Sequence, residues 1–151
     1  MMRISMLLFV FLSTSIFCLG NDLLEVRSNY KRCIADKELC RKLMDRLEGS
    51  KQQTPLELAY LGGLKTIWAN HVFSPIAKLS TFKQGRKDIE RAILKDPKNP
   101  ELRFIRLSIQ KNAPSFLGYK SNIAEDRRFI QANWGAFSPD VPMADVKALL
   151  D

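Results

Sequence analysis

From residue 22 to residue 134 apolar side chains recur every three or four positions, and no convincing strand pattern interrupts them. That spacing belongs to helices with one buried face, so it predicts an all-α chain. A first helix is expected over about 22–34, with Val26, Tyr30 and Cys33 along one side. Asp36 then caps a second helix to about Glu48, whose inward stripe is Leu39, Cys40, Leu43 and Leu47, and Gly49 ends it. Beyond a polar loop at 49–53, Thr54-Pro55-Leu56-Glu57 has the form of a capping box, with side chains and backbone N–H groups satisfying one another reciprocally. It opens a third helix to about Asn70. Ser74-Pro75 repeats the cap-plus-proline grammar and opens a fourth to about Lys95, which Pro97 stops. Asn99-Pro100 starts a fifth helix over about 100–112, and Ser121 caps a sixth carrying Ile123, Phe129 and Ile130. The prolines at 139 and 142 force irregular chain before a short terminal helix from about Met143.

Two details say how these helices pack. Gly62 and Gly63 each lower helix propensity by about 1 kcal/mol, so the pair points to another helix backbone approaching closely. The stripe of the fifth helix, Leu102, Ile105 and Ile109, is widened by Phe104 and Leu107, which implies neighbours on two sides.

Residues 85–100 carry a more specific signal. Gly85, Ile89, Ala92 and Pro97 resemble the small, aliphatic, alanine and turn-proline positions that close helix B of a tetratricopeptide repeat, and Leu61-Gly62 resembles the leucine–glycine pair of helix A. The departure is the A-to-B connection through His71 to Lys78, about ten residues longer than the family pattern. The resemblance implies antiparallel helix hairpins stacked as a short right-handed superhelix: one stretched unit at 54–97, a degenerate one at 100–134, and the 22–48 pair packed against them. More loosely, Arg103-Phe104-Ile105-Arg106-Leu107-Ser108-Ile109-Gln110 followed by Pro114-Ser115-Phe116-Leu117-Gly118-Tyr119 resembles small exported bacterial proteins of tetratricopeptide-like fold. Such stacks hold protein or peptide partners, so the resemblance implies a binding module.

Residues 1–20 change the setting. Arg3, the apolar run from Ile4 to Leu19, and small residues at Cys18 and Gly20 have the layout of a signal peptide, with an uncleaved N-terminal anchor as the alternative. The expected organisation is therefore a signal peptide at 1–20, a helical domain at 21–134, and an irregular segment with a short helix at 135–151. Export to the periplasm or outside the cell makes nucleic acid a poor partner. The chain carries 24 basic and 16 acidic residues, a formal charge of +8. That surplus suits an acidic partner, an anionic glycan or lipid headgroups at a membrane surface, or it is simply the solvated side of the helices. The sequence sets no oligomeric state.

Candidate chemistry is sparse. Arg103 and Arg106 share one side of the fifth helix with Gln110, where two guanidinium forks could grip a carboxylate or phosphate, or else pair locally with Glu101, Asp126 or Asp88. With Tyr60 and Asn112 they form the candidate partner contacts, and in the alternative reading the two arginines anchor an anionic ligand of a small envelope enzyme or binding protein. His71 has no nucleophile or elbow motif beside it, and Glu57, Asp88, Glu90 and Glu125 each have a basic neighbour, so no catalytic residue is assigned. Trp68 and Trp134 suit buried packing. Cys33 and Cys40 could join in a disulfide if the chain breaks at Ala35-Asp36, or could fill a seam as thiols. No phosphate loop or metal spacing is present, and no cofactor is expected.

Overall fold

The computed structural model describes residues 17–50 and 53–151. Among the described residues all regular structure is helical. In chain order the helices are α1 (Phe17–Asn29), α2 (Lys37–Glu48), α3 (Pro55–His71), α4 (Pro75–Lys95), α5 (Pro100–Asn112), α6 (Ile123–Ala132) and α7 (Met143–Leu150). Short 3₁₀ turns occupy Lys31–Ile34, Ser115–Leu117 and Trp134–Ala136. Residues 1–16 of the expected leader lie outside the described residues, and α1 runs across its expected end at Gly20. None of the helices among the described residues is long and apolar enough to cross a membrane.

Most boundaries follow from local capping. The Asp36 carboxylate accepts from the Leu39 N–H at 2.9 Å. Both halves of the Thr54–Glu57 box form, at 2.7 and 3.2 Å, and Ser74 and Asn99 cap α4 and α5. Elsewhere the structure departs from expectation. The first helix ends at Asn29, after which the chain tightens into a 3₁₀ turn that carries Cys33. Gly49 does cap α2, but in right-handed backbone at φ −71°, so glycine's freedom is not what ends the helix. Ser121 does not cap α6; Asn122 stands there, and its side-chain oxygen is taken by Ser121 and Gln110. The overlong connection between the third and fourth helices is only residues 72–74, because the additional length is absorbed as helix in the 17 residues of α3 and 21 of α4.

Packing centres on α3 and α5. α3 lies against α2, α4 and α5, while α5 is enclosed by α3, α4, α6 and α7. Leu43, Leu64, Ile89, Leu102, Ile105 and Ile130 are fully buried between them. The tightest seam is where Gly62 of α3 meets Gly85 of α4: a Cβ added at Gly62 would lie 2.6 Å from the Gly85 carbonyl oxygen. Two facing glycines therefore let the backbones touch, with Ile89 and Ala92 buried one and two turns further along. Gly63 serves a different neighbour, making room for the Tyr30 ring.

Candidate functional site

α4 places Pro75, Lys78, Leu79 and Phe82 at helical spacing on one side, and α5 does the same with Phe104, Ser108 and Asn112. These two rows face each other across a cavity of about 750 Å³. Tyr60, Thr66 and Ile67 of α3, Arg27 and Tyr30 from the end of α1, and Ala148 and Leu149 of α7 complete the walls. Carbon dominates that surface, and the volume falls within the range of pockets that enclose small molecules or inserted side chains. Lys31, Lys78 and Asp145 stand at the walls nearest solvent, where Lys31 and Asp145 are paired at 3.0 Å.

Behind the apolar wall lies a fully satisfied charge cluster. Glu101, 2 % exposed, accepts from Arg27 through Nε at 2.7 Å and a terminal nitrogen at 2.8 Å, and from the Tyr60 hydroxyl at 2.7 Å. Burial, and then the Glu101 charge, push the Tyr60 hydroxyl well above its usual value. The hydrogen bond to Glu101 holds the Arg27 guanidinium further above its own. Three donors on one carboxylate leave it committed to binding α1, α3 and α5 together.

Of the expected contact residues, Tyr60 and Asn112 line the cavity, while Arg103 and Arg106 are not among its walls. Arg106 forks onto Asp126 at 2.6 and 2.7 Å and reaches Glu90 at 2.9 Å, and Tyr119 donates to the same Glu90 at 2.7 Å. Burial works against the Arg106 charge, but Asp126 and Glu90 outweigh it and hold the guanidinium above its usual value. Arg103 contacts Asp126 and Glu125 at 3.2 and 3.1 Å and lies over the Phe129 ring. The Asn122 amide, then Arg103 and Arg106, keep Glu125 below the usual carboxylate range. Both arginines thus face α6.

The remaining candidates have structural partners, although Trp134, expected to be buried, is 42 % exposed with its ring against Phe137. His71 Nε2 lies 2.9 Å from the Cys33 carbonyl oxygen, Asp88 pairs with Lys65 at 2.9 Å, and Trp68 is flanked by Lys37 and Arg41. Cys33 and Cys40 are buried free thiols that contact one another. That contact holds the Cys33 thiol below its usual value and, with burial, pushes Cys40 up. Among the described residues no group of three or more histidine, cysteine or acidic side chains could hold a metal ion. Tyr30, Phe82 and Phe104 were expected only as apolar helix faces and Arg27 not at all; their place in the cavity wall comes from helices converging, of which Gly63, against the Tyr30 ring, was the local trace. With this geometry established, comparison with known proteins adds no label: no protein-family model, curated protein or solved structure matches the chain.

Proposed function

We propose that this protein is an exported, non-enzymatic module of stacked, tetratricopeptide-like antiparallel helix hairpins that receives an apolar segment of a protein or peptide partner. The observation that carries the reading is the cavity of about 750 Å³ whose walls are chiefly carbon, backed by the buried Glu101 carboxylate that three donors already satisfy. Such a site offers volume and apolar contact but no group poised to move a proton or attack a bond. Inserted aliphatic or aromatic side chains would gain about 25 cal/mol per Å² of apolar surface removed from water. A second reading, a single amphiphile with an anionic head, is favoured by Lys78, whose side chain stands at the mouth with no ion pair or hydrogen bond among the described residues.

A photo-crosslinking amino acid at Phe116, 85 % exposed at the mouth, separates these readings in the producing cell. A covalent protein adduct supports the first, and a lipid-mass adduct the second. Either adduct should vanish with Leu79→Arg, which sets a charge into the opening at a position 40 % exposed and so tolerant of change. An adduct that survives Leu79→Arg, or no adduct of either kind, refutes the cavity as the binding site.

A further inference from the structure

Around the cavity mouth the surface is unlike the rest of the molecule. The turn between α3 and α4 and the first turns of α4 expose Phe73 (102 %), Ile76 (83 %) and Leu79 (40 %), and across the opening Phe116 and Ile34 are also exposed. Large apolar side chains exposed together around one opening mark an interaction site more than singly scattered ones do. The unpaired charge of this surface is basic. Residues 58–87 contain no aspartate or glutamate, yet they contain Lys78, Lys83, Arg86 and Lys87, besides Lys65, which is paired with Asp88. Lys78 and Lys83 are exposed on α4 and their ammonium groups have no ion pair or hydrogen bond among the described residues, and the acid lining the mouth, Asp145, is paired with Lys31.

We propose that this end of the molecule, Phe73, Ile76, Leu79 and Phe116 with Lys78 and Lys83, docks on an anionic phospholipid leaflet. Two features select a bilayer over a protein face. Unpaired lysines are depleted in protein–protein interfaces, whereas next to apolar side chains they meet lipid phosphates while their stems stay in the headgroup region. A fully exposed phenylalanine on a projecting turn matches a soft interface that it can enter, as amphipathic surface binders do with aromatic and aliphatic residues beside lysines. Each lysine near an anionic surface contributes about a five-fold gain in binding. The inference does not rest on what fills the cavity, because Phe73 and Ile76 lie outside its walls.

The test uses the full chain and protein-free vesicles. An environment-sensitive nitrobenzoxadiazole dye is attached at Phe73→Cys, and in a second protein at Leu94→Cys, a position 81 % exposed at the far end of α4; Cys33 and Cys40 are buried, and both proteins carry Cys18→Ser. Vesicles containing phosphatidylglycerol should shift the position 73 dye to the blue and brighten it, and leave the position 94 dye unchanged. Pure phosphatidylcholine vesicles should give at least ten-fold weaker binding, and Lys78→Glu with Lys83→Glu should weaken binding to the anionic vesicles to a similar degree. Equal responses at both positions, no response at 73, or indifference to lipid charge overturns the proposal; a surface that serves a protein instead gives the second of these. The crosslink from Phe116 in cells is judged separately, so loss of vesicle binding leaves the cavity reading standing or falling on its own result.

Discussion

Replacing Gly85 by alanine tests the closest contact in the fold. In an exposed helix this change should stabilise by about 1 kcal/mol, because glycine is the poorer helix former. Here the new Cβ would lie 2.7 Å from Thr66 Cγ2 and 2.9 Å from the Thr66 backbone nitrogen, with the Gly62 carbonyl oxygen nearer still. Two of those three atoms are backbone, so α3 and α4 must separate by several tenths of an ångström to about 1 Å. A gap of that size forfeits a quarter to a half of each dispersion contact along the seam, and overpacking of this kind costs about 1–3 kcal/mol and occasionally more. With backbone atoms this close the upper part of that range applies, so after the propensity gain of about 1 kcal/mol the net expectation is a loss of about 1–2 kcal/mol. Urea unfolding followed by helical circular dichroism measures it, with Gly49→Ala as the control. At Gly49 the added Cβ meets only carbonyl oxygens at 3.5 Å and φ is already negative, so stability should hold or rise by up to about 1 kcal/mol. A Gly85→Ala protein as stable as the parent would refute the backbone-contact argument.

Other perturbations probe the buried polar groups. Arg106→Ala leaves Asp126, fully buried, without its fork, and should cost about 3–5 kcal/mol in the same unfolding assay, whereas Arg106→Leu with Asp126→Leu should cost less than the single change. All three tyrosines, Tyr30, Tyr60 and Tyr119, are pushed up, in each case first by burial. Unfolded tyrosine ionises near pH 10, so the folded state holds more protons above that pH. Stability is fully present below about pH 10 and is lost as the pH rises from there through the folded values. Tyrosinate absorbance at 295 nm should accordingly appear in one cooperative step together with unfolding, rather than as a non-cooperative titration centred near 10. In an oxidising buffer the touching thiols of Cys33 and Cys40 should close a disulfide, read as a loss of two mass units and of two alkylatable thiols after denaturation, with a gain in stability of about 2–3 kcal/mol for so short a loop.

The helices were legible because their signals are local. A capping box or a proline after Ser74 needs no knowledge of the rest of the chain, and the cost of Gly62-Gly63 announced a close neighbour that proved to be Gly85 and Tyr30. The cavity lay out of reach because its walls come from Arg27 at one end of the chain to Leu149 at the other. Helical spacing put Arg103 and Arg106 on a common side, but only the position of α6 determines that Asp126 faces them.

The Arg27–Glu101 fork spans 74 residues of sequence. Although α1 is made before α5 and its Glu25 can already meet Lys42 and Arg46 of α2, Arg27 has no carboxylate to fork onto until α5 has been synthesised, so this pair is a clasp that shuts late. A nascent polypeptide would therefore keep this latch open until α5 had been made. Native-state amide exchange should then release α1 and the first turn of α5 as one cooperative unit, ahead of the α3–α4 seam.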